Sequence, residues 1–153
     1  MPTVPFYQVD AFAGRPFEGN QACVMPLEGG YPDDATLQAI AAENNVAETA
    51  FLVAEGEGTW QLRWFTPATE VPLCGHATLG AAHVLFAHAG FAGDTVRFRT
   101  RQSGELLVHR EGHGYVMDFP AAQVFETPAS DEIAAALGAR PLRAWGGPFF
   151  AAQ

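Results

Sequence analysis

The chain has 153 residues, 48% of them hydrophobic and 16% charged, with a net charge of -9, the balance of an ordinary globular protein with room for one core. This acidity argues against nucleic acid and anionic membrane as partners, since both are bound mainly through clustered Lys and Arg. All eight basic residues are arginine, so the chain cannot form a Schiff base with pyridoxal phosphate or a keto substrate, and a Walker-type phosphate loop is also excluded.

Val4 to Phe12 is β-rich and partly alternating, and Gly14-Arg15-Pro16 breaks it. A short strand, Ala22 to Pro26, follows Glu18-Gly19-Asn20, and a loop runs through Gly29-Gly30. Asp33 and Asp34 after Pro32 are good helix starters, and Leu37, Ile40 and Ala41 give one apolar stripe as far as Asn44 or Asn45. Thr49 to Ala54 and Trp60 to Phe65 read as two strands joined by the Glu55-Gly56-Glu57-Gly58 turn.

Next comes Cys74-Gly75-His76-Ala77-Thr78, which opens a helix expected to stay apolar all round through Leu79, Ala81, Val84, Leu85, Phe86 and Phe91. A helix without a polar face must be enclosed. Its low-charge surroundings, Cys74 to Gly93, hold His76, His83 and His88 and read as a core helix rather than a membrane span. Thr95 to Arg101 alternates as a half-buried strand should, and Leu106 to His109 and Tyr115 to Phe119 continue the meander through turns at Gln102-Ser103-Gly104 and Glu111-Gly112-His113-Gly114. The expected class is α+β, a curved and mostly antiparallel sheet wrapped around the apolar helix. Residues 1-120 would form this first lobe. Residues 121-153 read as a linker, Pro120 to Pro128, and the incomplete start of a second unit: a short helix from the Ser130 cap to Gly138, then a strand from Leu142 to Ala152.

The chemistry centres on the apolar helix. Gly75 at its mouth lets a ligand approach the backbone, and the unpaired amides there suit a carboxylate or a developing oxyanion. Glu48 heads the apolar strand Thr49 to Val53, where partial desolvation would raise its pKa towards the neutrality a general acid or base needs; the plain alternative is a solvated strand-end glutamate. His76 either donates to a substrate oxygen and holds Glu48 or satisfies local carbonyls. Cys74 at a helix N-terminus is expected to have a lowered pKa and so to be a possible thiol base, the alternative being a small buried hydrophobe. Asn20 is either a substrate ligand or simply part of a turn. His83 and His88, five apart, fall on different faces, while His109 and His113 flank a hairpin without further ligands, so no metal is expected at either pair. Two cysteines, Cys23 and Cys74, make no disulfide framework, and Met1 to Pro5 is no signal peptide, so the protein is expected to be cytoplasmic and reduced.

Asp10-Ala11-Phe12 with Arg15-Pro16-Phe17-x-Gly19-Asn20, then Ala47-Glu48-Thr49-Ala50-Phe51, Phe65-Thr66-Pro67 and Leu73-Cys74-Gly75-His76-Ala77-Thr78-Leu79-Gly80 together resemble the PhzF-like family of phenazine biosynthesis, of the diaminopimelate epimerase-like superfamily. Gln21 departs from the proline usual after Gly-Asn. Leu137-Gly138 and Gly146-Gly147-Pro148-Phe149-Phe150 resemble the opening of that family's second lobe. The resemblance implies two similar lobes with an active site between them, no cofactor, and a small carboxylate-bearing substrate isomerised by proton transfer between carbons. By position it implies Glu48 as acid/base and Gly75 and His76 as substrate-binding residues. Cys74 falls where related racemases and epimerases keep one of two catalytic cysteines. Family members complete the site with a second-lobe acid and a Gly-Ser pair, which this chain does not reach, so inactivity of these 153 residues alone is expected, as a truncated or cleaved form, unless two copies pair as a homodimer to rebuild the cleft. The alternatives are a cysteine-based amino-acid racemase or epimerase, and a non-catalytic binding or assembly domain.

Overall fold

The computed structural model describes residues 3–15, 17–147 and 151–152. The chain divides into two compact units, Met1–Phe119 and Pro120–Gln153.

The first unit is a curled half-barrel sheet around one helix. Its strands are β1 (Tyr7–Ala11), β2 (Asn20–Leu27), β3 (Glu48–Gly56), β4 (Thr59–Phe65), β5 (Glu70–Val71), β6 (Thr95–Thr100), β7 (Glu105–Glu111) and β8 (Gly114–Asp118). They lie in the order β1-β2-β3-β4-β6-β7-β8, with β5 added alongside β4. The β2–β3 and β4–β6 pairs are parallel, each bridged by a helical crossover, as parallel neighbours require. The remaining pairs are antiparallel, as the turn chemistry of the hairpins anticipates. The two-residue β5 carries no alternation of its own and was not anticipated from sequence.

Strand alternation decides which side chains meet which helix. Ala22, Val24, Ala50, Leu52, Leu62, Trp64, Val96, Phe98, Leu106 and Val108 all point inward onto α2 (Gly75–Ala87), whose own Ala77, Ala81, Ala82, Val84, Leu85 and Phe86 are buried. Each large side chain enclosed this way contributes roughly 1.5–3 kcal/mol. The helix ends at Ala87 rather than reaching Phe91. Ala89-Gly90 turns the chain, with Gly90 at φ 73, and Phe91 folds back to pack edge-on against Trp60.

The opposite face of β2, β3 and β4 carries Met25, Phe51 and Phe65, covered by Leu37 and Ala41 of α1 (Asp34–Asn44). Asp33 caps this helix by accepting from the Thr36 amide at 2.8 Å, and Asn45 ends it in the left-handed conformation. On the same face Arg63, only 5% exposed, makes a bidentate pair with Glu70 at 2.7 and 2.8 Å and reaches Asp34 at 2.8 Å. Its guanidinium also lies over the rings of Tyr31 and Phe65.

The second unit holds β9 (Phe125–Glu126), α3 (Asp131–Leu137), β10 (Ala144–Gly146) and β11 (Ala151–Ala152), with the strands ordered β11-β10-β9. Ser130 caps α3 and Gly138 closes it in the left-handed region. Two expectations change here. The stretch read as linker contains β9, and the single strand read from Leu142 to Ala152 is two strands; Pro148, Phe149 and Phe150 lie outside the described residues. No helix among the described residues is long and apolar enough to cross a membrane.

Candidate active site

Glu48 opposes Ala22 across the parallel β2–β3 pair. Period-2 alternation puts it on the face of Ala50 and Leu52, so it projects towards α2 rather than α1. Cys74, extended at φ -145, is the N-cap of α2 and provides no side-chain cap. Glu48, 26 residues before Cys74 in sequence, thus converges with Cys74 and His76 at one helix end.

Cys74 Sγ lies 3.4 Å from His76 Nδ1. On the other side of the ring, Nε2 is 3.2 Å from the Gln21 carbonyl oxygen and 3.0 Å from Glu48 Oε2. A carbonyl can only accept, which assigns the hydrogen to Nε2 and leaves Nδ1 to accept from the thiol. Glu48 Oε2 is buried, yet no donor among the described residues is aligned on it, because the imidazole N–H is directed at Gln21. One carboxylate oxygen is therefore buried and held beside an imidazole without being committed to a hydrogen bond.

The thiol departs from expectation. Cys74 is 7% exposed, and burial pushes it up to about 11, with the Glu48 charge adding to this and the Ala77 and His76 amides opposing it only in part. The helix terminus does lower a thiol pKa, but desolvation is the larger effect, so Cys74 is a protonated donor at neutral pH. Cys23 alternates onto the other face of β2, is buried, and also has its pKa raised by burial. It supplies no second thiol here.

Gly75 occupies the first turn of α2 with an ordinary φ. A Cβ there would only touch a ring carbon of Phe119, at 3.5 Å. The fold has room for a side chain, so the bare backbone is not a packing requirement. Asn20 begins β2, two positions before Ala22, on the same face as Glu48 and at the same end of the sheet, and its side chain is exposed. Gly19 before it has φ 90, and a Cβ would stand 2.3 Å from the Ala11 carbonyl oxygen. Nearby Phe12 and Phe17 hold positive φ while 68% and 98% exposed, an unfavourable backbone for bulky residues.

Two contributors were not read from the sequence. The Gln21 carbonyl fixes His76, a role visible only once α2 is packed against β2. Thr78 Oγ1 donates to the Cys74 carbonyl at 2.5 Å, which holds the N-cap in place. His83 and His88 also differ from expectation: their rings meet edge-on with centroids 5.6 Å apart, because His88 lies beyond the last helical residue. They line a hollow of about 630 Å³ with Tyr7, Asp10 and Arg15, which none of the Glu48, Cys74 or His76 side chains enters. As a donor set, Glu48, Cys74 and His76 present ligand atoms all within 4.8 Å of one another.

The sequence matches the family "Phenazine biosynthesis-like protein" over residues 9–141. The chain belongs to this family. It is 50% identical over 137 residues to an uncharacterized isomerase of Pseudomonas aeruginosa, covering 90% of this chain and 51% of that protein. A crystal structure of a PhzF-family protein from Enterococcus faecalis matches with a TM-score of 0.88 at 45% identity, covering 96% of this chain and 55% of that one. A predicted epimerase from Pseudomonas aeruginosa matches at 25% identity with a TM-score of 0.67, covering 94% of this chain and 56% of that one. The fold is the α+β arrangement of PhzF-like and diaminopimelate epimerase-like proteins. The chain spans about half the length of the curated relatives it matches.

Proposed function

We propose that the protein is a PhzF-like isomerase that needs no cofactor and moves a proton between carbons of a small carboxylate-bearing substrate, with Glu48 as acid/base. The observation that carries this is the buried Glu48 Oε2, 3.0 Å from His76 Nε2 and without an aligned donor. In this reading the substrate carboxylate sits at the bare Gly75 backbone, where the first-turn amides stabilise negative charge as it develops. His76, with Nε2–H already placed, donates to the carboxylate or to a substrate oxygen, and Asn20 contributes a polar contact from the end of β2. Glu48 takes a proton from one carbon and returns it to another. The relatives' description as isomerases supports the reaction class, and residues 121-153 are proposed as the start of a second lobe.

The thiol-based alternative is disfavoured by the burial of Cys74 and by Cys23 facing away. Deuterium uptake from solvent into small carboxylates, amino-acid-derived ones included, tests the choice. Glu48→Gln is expected to lower uptake by about 100-fold or more, the scale of general acid–base catalysis, and Cys74→Ser to retain most of it. The reverse pattern would move the role to the thiol. Binding without uptake in any variant would make this a non-catalytic binding domain.

A further inference from the structure

Glu48, Cys74 and His76 bring three different donor types to one point, with the histidine and glutamate side chains 11% and 18% exposed and the cysteine buried. Their arrangement suits a metal ion. Tetrahedral zinc with its usual Zn–S and Zn–N bond lengths sets a sulfur and an imidazole nitrogen about 3.6 Å apart, and Cys74 Sγ to His76 Nδ1 is 3.4 Å. The third donor, a Glu48 oxygen, completes a set whose atoms all fall within 4.8 Å. Closing it around one ion asks the carboxylate, which rests 3.0 Å from Nε2, to swing towards the Nδ1 side, since tetrahedral ligand atoms lie about 3.4–3.6 Å apart.

The outer shell is already in place. A histidine that ligates through one ring nitrogen characteristically donates through the other to a backbone carbonyl or carboxylate, which fixes its tautomer. His76 does this now, through Nε2 to the Gln21 carbonyl, leaving Nδ1 as the free lone pair beside the sulfur. We propose that Glu48, Cys74 and His76 form a capture site for one thiophilic divalent cation of the zinc class, which closes the site to substrate. On binding, the Cys74 proton is released to solvent and the thiolate and carboxylate together neutralise the ion. A sulfur and an imidazole select against magnesium and calcium, which prefer all-oxygen shells. A fourth position stays open to water or to a ligand carboxylate.

That the ion acts as a brake rests on the reading of Glu48 as proton carrier, whereas its binding does not. Titrating the full chain with Co²⁺ separates the two. One equivalent is expected to produce tetrahedral d–d bands and a thiolate-to-cobalt charge-transfer band, displaced by Zn²⁺ and unaffected by Mg²⁺. Cys74→Ser should abolish the charge-transfer band while Cys23→Ser leaves it. Glu48→Gln should weaken binding by more than about 100-fold, since outer-shell groups alone are worth about 10- to 100-fold. Zn²⁺ should also protect Cys74, and not Cys23, from alkylation in the unmutated protein. A missing thiolate band, or one that survives Cys74→Ser, would overturn the site. Full deuterium exchange in a Zn²⁺-saturated protein would overturn the brake, and neither result would alter the effect of Glu48→Gln on the metal-free protein.

Discussion

His76 ties its neighbours together through opposite ring nitrogens, so the protonation of Cys74 has consequences beyond the sulfur. The thiol has its pKa raised from the ordinary 9.0 to about 11. Between those values the folded chain keeps a proton that the unfolded chain releases, and stability therefore falls as pH rises through this window, by at most about 1.4 kcal/mol per pH unit. Denaturant unfolding from pH 8 to 11 should show a smaller decline for Cys74→Ser than for the unmutated protein; equal slopes would mean the thiol titrates as it does in the unfolded chain. Gly75 offers a cleaner separation of stability from function. Gly75→Ala meets only ordinary contact with Phe119 and gains helix propensity, so the melting temperature should hold or rise, the gain being about 0.4–1 kcal/mol. Carboxylate affinity should nonetheless drop at least about tenfold, because the added methyl stands over the backbone the ligand approaches. Unchanged affinity would remove Gly75 from the site.

At the scale of elements, the sequence shows its helices and most of its strands because local signals and tertiary packing agree. The Asp33 and Ser130 caps, the Gly138 stop and the clean alternation of Thr95 to Thr100 each have a local physical cause. Asp33→Ala should cost about 1 kcal/mol in thermal unfolding, the usual worth of an N-cap. What local signals could not show is non-local pairing. β5 and β9 are two residues each and exist only because a neighbouring strand is there to pair with. The parallel pairing of β2 with β3 is likewise non-local, and with α2 packed against β2 it brings Glu48 and the Gln21 carbonyl to His76. Glu48 and Cys74-Gly75-His76 were legible as separate candidates, and the resemblance grouped them, but their contacts were not. The Cys74 pKa runs against the helix-end rule because burial outweighs the helix terminus, and depth of burial is not a local property of the sequence.

The Arg63 brace is a second non-local feature, joining the start of α1 to β4 and β5. Hydrogen bonds from Arg63 hold the carboxyls of Glu70 and Asp34 below their ordinary values. Such depressed carboxylates stabilise above their unfolded pKa, and this contribution is lost as pH falls through the folded values. Acid unfolding should therefore begin at higher pH in Arg63→Met than in the unmutated protein. Removing the arginine should cost about 3 kcal/mol near neutrality, the low end for breaking a buried pair, because Glu70 is only partly buried and Asp34 is exposed. Identical acid midpoints would show the network to be idle.

Across the whole molecule, the first unit places every candidate residue at one end of a half-barrel and devotes the opposite end of α2 to an aromatic and histidine hollow. Nothing in the packing of that unit requires an uncommitted buried carboxylate beside a bare helix mouth. Both features cost stability, and the proposed proton transfer on a bound carboxylate is what would account for them. The crystal structure of Glu48→Gln with a carboxylate that exchanges deuterium in the unmutated protein tests this most directly. The account predicts the ligand carboxylate against the Gly75 and His76 amides and the exchanging carbon within about 3.5 Å of the residue 48 side chain, the reach of a near-attack geometry. A ligand seated with that carbon over Cys74 Sγ, or bound in the hollow beside His83 and His88, would contradict it.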